Sequence, residues 1–183
     1  MANKPLNLTL DRHETPLGDM LVVSDEQARL RALDWHDFED RMWRLLRLHY
    51  GEHGFSLREG RSPAPVRDAL QAYFNGALRA LDALSVATGG TTFQREIWAA
   101  LRRIPLGQTC SYGELAKQIG RPAAVRAVGL ANGANPIGIV VPCHRVIGAD
   151  RSLTGYAGGL TRKRWLLAHE GASFGPTSKA SAG

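Results

Sequence analysis

The chain has 183 residues, 44% of them hydrophobic, two cysteines (Cys110 and Cys143) and a net charge of +6. That length suits one large domain or two small ones with a real core, and two cysteines without a nearby His–Cys cluster argue against a disulfide framework and a structural zinc site, so no metal is expected. No apolar run reaches the roughly 18 residues needed to span a bilayer, and "MANKPLNLTLDRHE" lacks the apolar core of a signal peptide, so a cytoplasmic protein without a membrane partner is expected.

Residues 6–12 and 20–34 read as strands, with "TPLGD" supplying a turn. An amphipathic helix follows over roughly 37–50, with Phe38, Met42, Leu45, Leu46 and His49 at helical spacing and Asp37 as N-cap. "GEHGFSLREGRSPAP" reads as a loop, and a second helix runs over about 64–75, with Val66, Leu70, Tyr73 and Phe74 inward and Gly76 at its end. "SVATGGTT", residues 85–92, is small and polar and marks a linker.

Beyond the linker the pattern turns helical. "TFQREIWAALRRI" places Phe93, Ile97, Trp98, Leu101 and Ile104 on one face until Pro105 stops it. "SYGELAKQIG", closed by Gly120, and "RPAAVRAVGLANG", with Pro122 near its first turn, are two short helices joined by a tight turn, a helix-turn-helix pattern. "TGYAGG" is a loop, "TRKRWLLAHEG" a terminal helix with Thr161 as N-cap, and "ASFGPTSKASAG" a disordered tail. The expected fold class is α+β: an N-terminal antiparallel-sheet and helix domain over 1–88, a mostly helical domain over 89–172 with a helix-turn-helix and an active-site loop, and a tail over 173–183.

Charge divides the same way. Residues 1–91 carry 11 Lys/Arg against 13 Asp/Glu, whereas residues 92–172 carry 11 Lys/Arg against 4 Asp/Glu, a net +7. A basic half beside a mildly acidic one suggests a polyanionic partner; a merely solvated basic face is the plainer alternative.

"NPIGIVVPCHRVIG", residues 135–148, places Cys143 between Pro142 and His144–Arg145 at the end of an apolar run. A free thiol of pKa about 8.5 is only slightly ionised at neutral pH, and a base or positive field raises that fraction. Adjacent side chains on an extended strand point to opposite faces, so a Cys143–His144 pair needs a bend or a bridging water. Pro142 makes a bend reasonable. A buried structural cysteine at a strand end is the competing reading of Pro-Cys-His-Arg, and Cys110, with only Tyr112 for company, reads as an ordinary residue.

"NPIGIVVPCHRVIG" followed by "GYAGGLTRKRWLLAHEG", with "TTFQREIWAALRRIPLGQTCSYGELAKQIGRPAAVRAVGLANGANP" upstream, resembles the O6-alkylguanine-DNA alkyltransferases, or methylated-DNA–protein-cysteine methyltransferases. The resemblance covers nearly all of residues 91–171; the N-terminal half is similar to bacterial members in length and layout. It implies that Cys143 accepts the alkyl group, that His144 is its general base through a water, and that Glu170 orients the histidine, a triad arrangement. It implies further that Asn135 holds the turn shaping the site and that Tyr112 donates to ring nitrogen N3 of an everted guanine. Arg126 would fill the vacated place in the base stack. Ala123, Ala127 and Gly129 would let the second helix of the motif approach the minor groove closely, with Arg145 among the residues meeting DNA. Tyr156, Ala157 and Val146 would line the substrate pocket, with the carbonyls of Val141 and Cys143 reading the exocyclic amine. Some family members carry serine where this chain has Ala157, which leaves that contact to the oxygen in question.

The implied activity is single-turnover repair of O6-alkylguanine in double-stranded DNA, with acceptance of O4-alkylthymine left open. The protein would be a monomer and use no cofactor. Three other readings compete. A non-catalytic damage-binding relative would lack Cys143. A helix-turn-helix regulator would want polar base-reading side chains where "PAAVRAVGLANG" offers small ones. A cysteine hydrolase would need an oxyanion hole and leaves the basic half unexplained.

Overall fold

The computed structural model describes residues 4–176. Two compact units are present: one runs from the N-terminal end to Arg95 and takes in Pro136–Val140, and the other comprises Glu96–Asn135 and the chain from Val141 onward.

The first unit is built on a four-stranded sheet. Strands β1 (Leu6–His13), β2 (Met20–Asp25) and β3 (Leu30–Trp35) form antiparallel neighbours. A fourth strand, β4 (Phe55–Glu59), joins the far edge parallel to β1, giving the order β3-β2-β1-β4. This strand lies inside the segment expected to be a loop. It is short, three of its five residues are exposed, and only Phe55 and Leu57 pack inward, so its apolar alternation is faint. Helix α1 (Glu39–Tyr50) sends Met42 and Leu46 into a core with Leu8, Leu10, Leu21, Val23 and Ala32. Its N-cap is Phe38 rather than Asp37, because a 3-10 turn over His36–Phe38 precedes it. Helix α2 (Ala64–Phe74) buries Val66, Leu70, Tyr73 and Phe74. At the β3 edge, Leu33 N–H donates to Pro136 O at 2.9 Å and Gly138 N–H to Leu33 O at 2.9 Å, so Pro136–Val140 is tied to the sheet.

The second unit is mostly helical. Helix α3 (Thr92–Leu101) buries Ile97, Trp98 and Leu101, and the Trp98 indole donates to Ala131 O at 2.9 Å. A two-residue strand β5 (Cys110–Ser111) pairs in parallel with β6 (Val146–Ile147). Helix α4 (Tyr112–Gln118) starts on a capping box: the Ser111 side chain accepts from Glu114 N–H, and Glu114 accepts from Ser111 N–H at 2.6 Å. It ends at Gly120, whose φ of +73 a residue with a Cβ would resist. Helix α5 (Val125–Gly133) completes the helix-turn-helix; Pro122 lies in the preceding turn, outside its first turn. Helix α6 (Leu160–His169) is preceded by Gly159 as N-cap, not Thr161. Its Leu167 meets Ile147, Leu153 and Ala172, with Phe174 packed alongside. Residues 173–175 of the expected tail are therefore engaged, with Arg151 Nη2 donating to Ser173 O at 3.1 Å and Gly175 N–H to Arg151 O at 2.8 Å, while 177–183 lie outside the described residues.

Candidate active site

The apolar run before Cys143 is not a regular strand. Ile139 sits at φ +66, and Val140 N–H donates to Gly138 O across it at 2.8 Å. A left-handed β-branched residue is strained, and Ile139 holds that conformation while buried. Pro142 (φ −81, ψ 63) makes a second tight turn, closed by Cys143 N–H to Val141 O at 2.8 Å. Cys143–Arg145 then forms a single 3-10 turn. The Asn135 side chain, itself buried, donates to Val141 O at 2.8 Å and pins the same bend. Val141 O thus takes two donors, which uses both lone pairs and removes it as a reader of a substrate amine.

His144 is fully buried and its Nε2 lies 2.9 Å from Glu170 Oε1. Burial pulls the imidazole below its ordinary pKa and outweighs the attraction of Glu170, so the ring is neutral at rest. Burial alone would raise the Glu170 carboxyl, but His144 and Arg145 override it and hold it at about 2. The carboxylate therefore accepts a hydrogen bond from Nε2–H, which leaves Nδ1 as the basic nitrogen. Nδ1 is buried without a hydrogen-bond partner among the described residues. His144 Nδ1 therefore makes no hydrogen bond to the Cys143 thiol.

Arg145 was expected to meet DNA, and the structure assigns it other work. Its Nε and Nη2 donate to Glu170 Oε2 and Oε1 at 2.9 and 3.1 Å, and Nη1 donates to Ile104 O at 2.8 Å. With its side chain only 11% exposed, the guanidinium is committed to the carboxylate. Val146, expected in the substrate pocket, also lies elsewhere. It is fully buried, does not line the cavity, and its carbonyl accepts from Lys163.

A cavity of about 270 Å³ opens over the thiol, lined by Tyr112, Gly129, Asn132, Gly133, Cys143, Gly155, Tyr156 and Ala157. The expected residues Tyr112, Gly129, Tyr156 and Ala157 thus converge on Cys143, whereas Arg126, Ala123 and Ala127 are exposed and outside it. Thr154 Oγ1 donates to Tyr112 Oη at 3.4 Å, which leaves the phenol proton free to donate elsewhere. Burial raises the Tyr112 pKa, so it is a proton donor, not a phenolate.

Two participants escaped the sequence reading. Lys163 is fully buried and donates to Val146 O at 2.5 Å, Thr154 O at 2.7 Å and Gly155 O at 3.4 Å. Burial lowers its pKa to about 8, and a thiolate at Cys143 favours its charged form. The reciprocal effect is a positive field on the sulfur. The second is Asn132, 4% exposed, which lines the cavity and has a buried Oδ1 without a hydrogen-bond partner among the described residues. In "TRKRW" only the helical register against the core singles out Lys163. Asn132 carried no signal beyond its place in "LANGANP".

Fold and site together define a cysteine-nucleophile protein: a thiol under a base-sized cavity, backed by a His–Glu–Arg relay, on a helix-turn-helix scaffold. Comparison with known proteins specifies the class. Residues 92–172 match the 6-O-methylguanine DNA methyltransferase DNA binding domain, and residues 12–88 match the ribonuclease-like domain of the same methyltransferases. The chain is 57% identical over 166 residues to a methylated-DNA–protein-cysteine methyltransferase of Salmonella typhimurium, covering 91% of this chain and 97% of that one. A relative of the same name from Methanosarcina acetivorans is 58% identical over 158 residues, covering 86% and 95%. Among solved structures, the Mycobacterium tuberculosis O6-methylguanine methyltransferase superposes with a TM-score of 0.72 at 38% identity over 96% of each chain. A Mycobacterium tuberculosis OGT in complex with DNA gives 0.72 at 39% identity over 89% and 92%. The chain belongs to the 6-O-methylguanine DNA methyltransferase family.

Proposed function

We propose that the protein repairs O6-alkylguanine in double-stranded DNA by moving the alkyl group irreversibly onto Cys143. One observation carries this reading: Cys143 forms the wall of a base-sized cavity while the neighbouring His144 is held neutral, Nε2 to Glu170, with Nδ1 left as a base. His144 takes the thiol proton through a bridging water, and the Glu170 carboxylate, held in place by Arg145, stabilises the imidazolium that results. Lys163 supports the thiolate. The sulfur attacks the carbon on O6, the C–O bond breaks, and its electrons pass to the purine, where Tyr112 donates as charge builds up. The product is a thioether with no activated leaving group, so each chain acts once. No cofactor enters these steps.

The target must be everted to reach the cavity. Exposed Arg126 fills the gap it leaves, and Ala123 and Ala127 allow close approach to the minor groove. Gly129 lies at both surfaces, lining the cavity with a Cβ position 3.7 Å from the Tyr112 ring. Residues 89–172 bind DNA and transfer the group, and residues 1–88 support them. The protein works as a cytoplasmic monomer. Mixing it with a methylated duplex and measuring intact mass tests the reading. One added methyl per chain, mapped to Cys143 and not released on standing, is expected; an unmodified chain beside repaired DNA would overturn it.

A further inference from the structure

Helix α5 carries an exposed apolar side chain that the proposed chemistry does not use. Leu130 is 71% exposed. A lone surface leucine is ordinary, but its surroundings are not. At about 100° per residue, Gly133, Arg126, Leu130 and Ala127 follow one another across roughly 120° of the helix, and all four are exposed. On that arc only Arg126 and Leu130 project beyond a Cβ, and they are one turn apart. The flank beyond Gly133 is the wall of the Cys143 cavity, formed by Gly129, Asn132 and Gly133. The two long side chains therefore stand beside the cavity mouth on a face otherwise stripped to alanine and glycine. Residues 92–172 around them carry 11 Lys/Arg against 4 Asp/Glu, which suits a phosphate-walled groove.

We propose that Leu130 is a second wedge, an apolar side chain that enters the minor groove beside Arg126 and holds open the base step from which the target nucleotide has turned out. The inference rests on the repair reading above. Its chemistry is general: proteins that approach the minor groove insert leucine and similar side chains to unstack a step, at a cost of a few kcal/mol that the DNA contacts offset. Arg126 supplies a plane that stacks and a charge. Leu130 supplies bulk without hydrogen-bonding demands, so it tolerates any neighbouring sequence.

Leu130→Ala tests it cleanly, since the side chain is exposed and alanine favours the helix. Methyl transfer to Cys143 is timed with O6-methylguanine in a paired duplex, with the same lesion opposite an abasic site, and with the free O6-alkylguanine base. The variant should be slower on the paired duplex by about fivefold or more, the scale of a partly lost unstacking contact. It should lose less opposite the abasic site and nothing on the free base. Leu130→Met should restore most of the duplex rate. Wild-type rates for Leu130→Ala on the paired duplex, or equal slowing on duplex and free base, would overturn the wedge. Wild-type protein that transfers from none of the three substrates would instead overturn the repair reading, so the two failures are distinguishable.

Discussion

Cys110 and Cys143 lie in the same unit and are buried to nearly the same degree, 8% and 6% exposed. Their surroundings differ in every other respect. Burial and the carboxylate of Glu114 push the Cys110 thiol up to about 11. Around Cys143 stand a neutral imidazole with its basic nitrogen unpaired, a buried ammonium and a phenol with its proton to give. Similar exposure therefore does not by itself decide whether a cysteine reacts. At Cys110 burial acts unopposed and a carboxylate adds to it, whereas at Cys143 a buried ammonium and a basic nitrogen work against it.

The bluntest way to break this comparison is to delete each thiol. Cys143→Ala should abolish methyl transfer while leaving duplex affinity largely intact, and Cys110→Ala should leave transfer within about twofold, as a small apolar exchange allows. Intact mass and a DNA-binding titration read both. Residual repair by Cys143→Ala would remove the nucleophile from the account.

Glu170→Gln tests the relay behind the reactive thiol. It removes the negative charge that stabilises the His144 imidazolium, replaces one acceptor oxygen by an N–H donor and leaves the Arg145 charge uncompensated, so transfer should slow by about a hundredfold, the scale of lost general-base catalysis. Stability should respond as well. The folded carboxyl sits at about 2 against an ordinary 4.5, so its stabilising effect is full above pH 4.5 and lost as pH falls toward 2. That amounts to about 3 kcal/mol. His144, held below its ordinary 6.5, adds acid sensitivity of the same sign from about pH 6.5 downward. The variant's melting temperature should therefore fall less between pH 5 and pH 3 than the wild type's. Parallel curves would remove Glu170 from the acid response.

How much of this contrast was legible in the sequence follows from the range of the forces involved. The helices were read from apolar periodicity, and the chemistry of Cys143, His144 and Glu170 came with the family resemblance of "PCHR" and "HEG". Helix caps shifted by a residue or two because a 3-10 turn at His36–Phe38 and a glycine at 159 took over the ends. Arg145 was misplaced because charge alone cannot tell a solvated guanidinium from one folded back onto a buried carboxylate. Lys163 was missed for the mirror reason: a lysine between two arginines reads as surface until the core fixes which of the three points inward. The strained turn at Ile139 has no local signature, since isoleucine disfavours that conformation and only the surrounding packing imposes it.

Lys163 sharpens the comparison by pH. Burial holds its ammonium at about 8, so the charge is present below that value and lost as pH rises through it. Transfer by the wild type should climb as the thiol ionises and then flatten or fall above about pH 8. Lys163→Met should lower transfer by about tenfold near neutrality, the loss of one charge beside a partly buried thiolate, and should also lose the high-pH decline. A profile with its alkaline limb intact in the variant would assign that limb to another group.

The smallest expected effect lies at the silent cysteine. Cys110 and Glu114 line a shallow hollow with Ser111 and Gly148, so a small alkylating reagent has a route to the sulfur. Glu114 also closes the capping box of α4 by accepting from Ser111 N–H. Glutamine serves the same position in such a box, so Glu114→Gln removes the charge while keeping the cap. Burial remains as the larger cause of the raised thiol, and the carboxylate is the lesser one. Labelling of Cys110 at pH 8 should therefore rise by only about twofold to threefold, as expected from one charge screened by water, with methyl transfer at Cys143 unchanged. A rise of a hundredfold would mean that the carboxylate, not burial, silences Cys110, and that the two cysteines differ by a single nearby charge.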